Sequence, residues 1–227
     1  MDFSNLVIYE DNHLLVVNKP VGIATMGVAQ GKDSLFIRAK KYVKEKYHKP
    51  GEVYLGVVSR LDLPVSGTIV FARTSKAAKR LNEQFLSHNV QKIYLALVEG
   101  RLLQQEGSLT DFICENKRSG QLWVSRRQTN DSEYCTSKKA QLEYKVLARY
   151  AQSSLVEVRP LTGRKHQIRL QFSSKGNPII GDGKYGAHPI SQRGICLHAY
   201  KLILTHPTKN VLMEFVSSKP DWSRWER

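Results

Sequence analysis

Short apolar runs dominate the chain, and few segments show helical spacing. Runs of four to nine residues, rich in Val, Ile, Leu and aromatic side chains and bounded by polar turns, are typical of strands. Such runs lie at 6–9, 14–18, 53–58, 68–71, 92–98, 140–148, 155–159 and 211–216. Many short strands with only two or three helices predict an α+β fold, with a mixed, mostly antiparallel central sheet flanked by helices and loops.

Two segments have apolar residues at helical spacing. The first predicted helix begins after Asp33, a plausible N-cap, and runs to Tyr47, where His48, Lys49 and Pro50 end it. The second follows Thr74 or Ser75 and places four apolar side chains on one face, namely Ala77, Ala78, Leu81 and Phe85.

The stretch 104–139 is polar and charged, with short strand-like pieces such as 121–124, and we interpret it as a surface excursion. No repeat, linker or composition shift divides the chain. We therefore predict a single domain over residues 1–227, and an apolar content of 41% is enough for its core.

Cysteine content and the first residues bear on the compartment. The three cysteines are odd in number and lack metal-ligand spacing, which indicates a reducing compartment, taken here as the cytoplasm, and no structural metal. The segment 1–5 carries an acid and no base, unlike a signal or transit peptide. No apolar stretch approaches the length of a membrane span, so no membrane partner is expected.

Net charge points to an anionic partner. The chain has 35 Lys and Arg against 20 Asp and Glu, a formal net charge of +15. A nucleic acid is a natural partner for such a surface. Charge alone leaves RNA, DNA, anionic lipid and a merely well-solvated basic protein open.

Three segments carry candidate chemistry. In 59–67, Arg60 and Asp62 lie two residues apart where a strand enters a Pro/Gly turn, so both side chains share a face. By itself this pattern also fits an ordinary turn aspartate. Segment 161–170 concentrates guanidinium, imidazole and amide donors suited to a phosphate or carboxylate, and equally fits an exposed basic loop leading into a strand. Segment 176–186 has four glycines but no Walker spacing, and fits a structural loop.

Together these segments resemble the RluA-type pseudouridine synthases in content, order and approximate spacing. The resemblance runs from about Val7 to about Trp222. Its blocks are the opening hairpin at 9–20, Arg60-Leu61-Asp62, the strand 92–100, the Thr-Gly-Arg-x-His-Gln-Ile-Arg segment at 162–169, and Leu197-His198-Ala199 with Thr205-His206-Pro207. The resemblance implies the pseudouridine synthase fold with an active-site cleft, and an enzyme that isomerises uridine in rRNA or tRNA to pseudouridine without a cofactor or metal.

The resemblance also implies roles for single residues. Asp62 matches the essential catalytic aspartate, which either attacks C1′ of the ribose or removes the C2′ proton. A model aspartate is ionised at neutral pH, but burial disfavours that charge, so a neighbouring cation is useful. The family supplies this cation from the Gln-Ile-Arg position, which makes Arg169 the predicted partner of Asp62. Tyr94 matches the tyrosine that stacks on the target base, where it is a candidate acceptor of the C5 proton.

The remaining site residues are predicted to bind substrate. Arg60 matches the residue suited to filling the space left by the extruded uridine, which lowers the cost of extrusion. Leu197 resembles an apolar wall of the uridine pocket. Three donors before the Gln-Ile-Arg triplet, Arg164, Lys165 and His166, complete the predicted substrate-binding set. Tyr94 and Leu197 also fit ordinary strand or core positions.

The chain departs from the family pattern at three positions. Ser59 replaces a histidine, Val65 a threonine, and Gln171 a histidine that often follows Ile-Arg. The resemblance starts at Val7, so the frequent N-terminal S4 RNA-binding domain is not expected, and RNA binding by a monomer would rest on the catalytic domain. Two alternatives stay open: a non-catalytic RNA-binding or ribosome-assembly module on the same fold, and a glycosidic-bond hydrolase that uses Asp62.

Overall fold

Strands make up most of the regular structure in the computed structural model, which describes residues 2–27, 29, 32–129, 135–190 and 194–224. The strands of this described part are β1 Val7–Glu10, β2 Leu14–Lys19, β3 Gly56–Val57, β4 Ser66–Ala72, β5 Gln91–Glu99, β6 Glu106–Asn116, β7 Leu122–Ser125, β8 Cys135–Arg149, β9 Ser153–Pro160, β10 Leu197–Thr205 and β11 Leu212–Val216. The helices are α1 Leu35–Lys46, α2 Ser75–Leu86 and α3 Gln167–Ser174, with 3-10 turns at Phe3–Leu6 and Gly183–Tyr185. The predicted α+β class is confirmed.

The chain divides into two compact units. The first contains Met1–Lys92 and His198–Lys219, and the second contains Ile93–Leu197 and Pro220–Arg227.

A sheet with a helix on each face forms the first unit. Strand β2 pairs antiparallel with β1 and with β4, while β4 pairs in parallel with β10, and β11 follows β10 antiparallel. The apolar run 14–17 serves both faces: Leu15 and Val17 pack with α1, whereas Leu14 and Val16 pack with α2. A continuous rather than alternating apolar strand is the pattern expected of a sheet buried on both sides.

An antiparallel sheet backed by a helix forms the second unit. Its strand order is β5, β9, β8, β6 and β7, and every neighbouring pair is antiparallel. Helix α3 covers one face, where Leu170 packs with Ile113, Leu122 and Ala140.

The structure corrects three predictions. Ser34, not Asp33, caps α1, because its hydroxyl accepts a hydrogen bond from the amide of Ile37, and the helix ends at Lys46. The stretch 104–139, interpreted as a surface excursion with short strand-like pieces, instead belongs to the sheet: it contains β6, β7 and the start of β8, with 130–134 outside the described residues. The basic segment 161–166 leads into helix α3 rather than into a strand.

Candidate active site

The turn that carries Asp62 is fixed by backbone contacts within the first unit. The amide of Val65 donates to the carbonyl of Asp62 (3.1 Å), and the amide of Gly22 donates to the carbonyl of Leu63 (3.0 Å). Thr25 Oγ1 both accepts from the Leu61 amide (3.1 Å) and donates to the Leu61 carbonyl (2.9 Å). Asp62 is half-buried, and Arg60 is exposed.

A buried lysine lies beneath this turn. Lys19 is fully buried, and its Nζ donates to the carbonyls of Pro20 (2.9 Å), Ile23 (2.8 Å) and, at 3.4 Å, Leu63. Burial lowers the pKa of Lys19 to about 8, although the nearby carboxylate of Asp62 opposes that shift. The first unit thus supplies a cation near Asp62 that sequence reasoning missed. Its signal was a charged residue at the end of an otherwise apolar strand.

Arg169 lies on α3 in the second unit and is 4% exposed. Its Nε and Nη2 donate to the two carboxylate oxygens of Asp182 at 2.6 and 2.9 Å. The ring of Tyr185 lies over the guanidinium, with the Arg169 Cζ 5.0 Å from the ring centroid. Sequence reasoning did not identify Asp182, because the contact spans 13 residues and a glycine-rich loop. The predicted interaction of Arg169 with Asp62 stays a prediction.

The three basic residues before α3 have local partners. His166 adopts the left-handed conformation (φ 55°) where α3 begins, and its Nδ1 is 2.5 Å from the Tyr185 hydroxyl. Arg164 Nε donates to the carbonyl of Lys139 (2.9 Å), and Lys165 forms an ion pair with Glu115 (2.7 Å). These contacts lie within the protein, and the predicted contacts of the three side chains with RNA stay predictions.

Tyr94 and α3 share one face of the second sheet. Tyr94, half-buried on β5, is directly opposite Val158, which is opposite Tyr144 on β8. Directly opposite residues point to the same side of a sheet. Tyr144 packs edge-on against Phe172 of α3, with ring centroids 5.7 Å apart. Leu197, at the start of β10, is 3% exposed.

Metal ligands and membrane spans are two further features that bear on function. Across the described ranges, no group of three or more His, Cys, Asp or Glu side chains is placed to hold a metal ion. Cys114, Cys135 and Cys196 are all buried and unpaired by disulfides. No helix within the described part of the chain is long and apolar enough to span a membrane.

Comparison with known proteins identifies the family. Residues 13–174 match the RNA pseudouridylate synthase family. The dual-specificity RNA pseudouridine synthase RluA of Yersinia pestis is 36% identical over 217 residues, which is 92% of this chain and 97% of that protein. The protein of the same name from Haemophilus influenzae is 36% identical over 222 residues, 95% of this chain and 93% of that one.

Solved structures agree with the sequence matches. The structure of human RNA Pseudouridylate Synthase Domain Containing 4 has a TM-score of 0.78 at 25% identity, over 96% of this chain and 90% of that one. The chain therefore belongs to the RNA pseudouridylate synthase family. Both the predicted fold and the predicted enzyme class, an isomerase that acts as a pseudouridine synthase, are confirmed.

Proposed function

We propose that the protein converts specific uridines of rRNA or tRNA into pseudouridine, with Asp62 as the essential catalytic carboxylate. Two lines of evidence support an RNA substrate. The matched relatives are named as dual-specificity RNA pseudouridine synthases, and each match covers more than nine-tenths of both chains. The net charge of +15 favours a polyanion.

The observation that carries the role of Asp62 is its position on a fixed turn beside a buried cation. The isomerisation breaks the bond from N1 to C1′ and forms one from C5 to C1′, so substrate and product have the same composition and the reaction needs no electron donor or acceptor. The proposal therefore assigns no cofactor. An ionised Asp62 acts at the ribose, by attack on C1′ or by removal of the C2′ proton. The Lys19 ammonium lies near this carboxylate, whose charge raises the pKa of Lys19 against the lowering effect of burial.

The other site residues divide into catalytic and binding roles. Tyr94 stacks on the target base and is the candidate acceptor of the C5 proton, and Arg169 supports the charge of Asp62. Arg60 fills the space that the extruded uridine leaves, and Leu197 lines the base pocket. The residues Arg164, Lys165 and His166 bind the RNA around the target.

We also propose that residues 1–227 act as one catalytic domain, as a monomer in the cytoplasm. Three buried cysteines without disulfides suit a reducing compartment. The RNA affinity then rests on the charge of the catalytic domain itself. Light scattering of the purified protein with chromatographic separation measures its mass, and a dimer would contradict the monomer.

Replacing Asp62 tests the central claim. Asp62→Asn preserves size but removes the carboxylate, so we expect turnover to fall at least about a thousandfold while folding and RNA affinity stay nearly unchanged. Pseudouridine formed in total RNA is measured by mass spectrometry, and RNA affinity by filter binding. Asp33→Asn is the matched control, because Asp33 is an exposed residue that pairs with Arg38. Substantial turnover by Asp62→Asn would place the chemistry elsewhere.

A second candidate is a non-catalytic RNA-binding or ribosome-assembly module. The departures at Ser59 and Val65, which flank the Asp62 turn, favour this candidate because they alter the surroundings of the proposed catalytic carboxylate. The same assay separates the two functions, because wild-type protein that binds RNA but forms no pseudouridine fits only the module. Release of free uracil would instead indicate a glycosidic-bond hydrolase.

A further inference from the structure

The glycine-rich segment 176–186 is tied to helix α3 at two points. The carboxylate of Asp182 binds the guanidinium of Arg169. The carbonyl of Tyr185 accepts a hydrogen bond from the hydroxyl of Ser173, one helical turn further along, at 2.6 Å. The segment is therefore bound to the helix that carries Arg169 rather than extending into solvent.

The guanidinium of Arg169 is held on one edge and on one face. Its Nε and Nη2 form two parallel bonds to Asp182, and the two side chains are only 5% and 2% exposed. The Tyr185 ring covers a face, and the Tyr185 hydroxyl is in turn bonded to His166. A planar group fixed in this way has one orientation, so the direction of the remaining nitrogen, Nη1, is set by Asp182 and Tyr185.

Backbone contacts make the position of Asp182 rigid. The amide of Ile180 donates to the carbonyl of Leu97 on β5 (3.0 Å), and the amide of Asp182 donates to the carbonyl of Ile179 (2.9 Å). Gly181 has a φ of +83°, and a Cβ there would lie 2.5 Å from the Cδ1 of Ile190, so this turn requires glycine. Asp182 is thus anchored to the same strand that carries Tyr94.

We propose that Asp182 is a positioning residue for uridine isomerisation, which orients the guanidinium of Arg169 through the bidentate pair; this rests on the proposed role of Arg169. Asp182 does not touch the substrate. Its effect comes from the position that it gives to the Arg169 guanidinium, because a displacement of a catalytic group by about 1 Å can lower the reaction rate about a hundredfold. A purely structural ion pair would affect folding but not turnover per folded molecule.

Two substitutions at Asp182 test this role. Asp182→Glu keeps the charge but moves it by one methylene, and Asp182→Asn keeps the shape but removes the charge. We expect kcat to fall about 10- to 100-fold in each, while KM and RNA affinity stay within about threefold of wild type. Turnover is measured per folded molecule, with the folded fraction from circular dichroism.

Asp111→Asn is the matched control for these variants. Asp111 is also a buried carboxylate that contacts the α3 region, since it accepts from Gln171 Nε2 (2.9 Å) and pairs with Lys175 (3.2 Å). Loss of the Asp111 carboxylate should lower stability and leave kcat within about threefold of wild type, because Gln171 and Lys175 lie outside the proposed catalytic set. Equal losses of kcat in the Asp111 and Asp182 variants would overturn the proposal.

Chemical rescue gives a readout that stability alone does not change. Arg169→Ala leaves the Asp182 carboxylate without its guanidinium, so added guanidinium should restore turnover at least about tenfold, whereas methylammonium, a point cation, should not. The double variant Arg169→Ala, Asp182→Asn should show no rescue. If Asp182→Asn does not fold, Asp182→Glu takes its place. Absent rescue, equal rescue by both cations, or undiminished rescue in the double variant would each overturn the proposal.

The outcomes separate this inference from the proposed function. Full turnover by Arg169→Ala would remove Arg169 from the catalytic set, and with it the part of the proposed function that it supports. An inactive Arg169→Ala together with wild-type kcat in Asp182→Glu would overturn only the positioning role.

Discussion

Lys19 carries its ammonium in a fully buried position, where a charge costs free energy. A buried ammonium loses its hydration, and its pKa falls for that reason. The carbonyls of Pro20, Ile23 and Leu63 replace the lost water. The same contacts tie the end of β2 to the Asp62 turn, so one side chain supplies both a local charge and a fixed backbone.

His198 gives the first unit a predictable response to acid. Its Nδ1 contacts the hydroxyl of Ser66 and its Nε2 the hydroxyl of Ser217, both at 2.8 Å, in a fully buried site. Burial lowers the pKa of His198 to about 4 from its ordinary value of 6.5. The unfolded chain therefore takes up a proton before the folded one, and stability is lost as the pH falls from about 6.5 towards 4.

We expect His198 to account for a loss of about 2 kcal/mol in the free energy of unfolding between about pH 7 and about pH 5. Urea titrations at the two pH values measure it. His198→Gln, which has no such proton uptake, should lose about 2 kcal/mol less over this interval than wild type. An unchanged acid response in His198→Gln would assign the loss to other groups.

Asp62, Tyr94 and Arg169 could be proposed from sequence because they lie within short ordered blocks. Lys19 and Asp182 could not, because their importance lies in contacts that no local pattern encodes. The ammonium of Lys19 reaches a carbonyl 44 residues away, and Asp182 reaches its guanidinium across a loop. Long-range pairing of buried charges is a property of the fold, so a sequence pattern shows only the charged residue.

Helices whose apolar residues recur at clear helical spacing were predicted with bounds close to those of the structure. Helices α1 and α2 each have one apolar face and a hydroxyl cap, Ser34 or Thr74. Helix α3 was missed because it has eight residues, of which the first six are all buried, and so shows no amphipathic period. Strand β6 and residues 135–139 of β8 were missed because each strand exposes one polar face, which makes these sequences resemble a loop.

The pairing of β4 with β10 depends on a glycine. Gly67 has a φ of +117°, and a Cβ there would lie 2.7 Å from the carbonyl carbon of Ala199, its partner on β10. Gly67→Ala should therefore lower the free energy of unfolding by at least about 3 kcal/mol, from strain and backbone displacement together.

Gly22→Ala separates these two causes. Gly22 also has a positive φ, +78°, but a Cβ added there would meet no atom within 4 Å. The substitution should cost only about 1–2 kcal/mol, from backbone strain alone. Urea unfolding of both variants measures the difference, and equal costs would show that β10 moves aside without penalty.

At the scale of the whole molecule, net charge governs the encounter with RNA. If about five phosphates are neutralised, a slope near −0.7 per contact predicts a roughly hundredfold loss of affinity for a fourfold rise in salt, for a single-stranded target. Filter binding with Asp62→Asn between about 50 and about 200 mM potassium chloride, the range of such titrations, measures the slope without turnover. A dissociation constant independent of salt would contradict binding through phosphates.

The bond between Arg169 and Asp182 also restricts how segments can be exchanged between relatives. A hybrid enzyme with a crossover between α3 and the following loop would inherit an arginine from one parent and its counter-ion environment from the other. Where the two do not match, the buried guanidinium lacks a counter-ion, which lowers the free energy of unfolding by about 3–5 kcal/mol. Recombination that keeps residues 166–187 as one block should therefore yield folded hybrids more often than recombination that divides it.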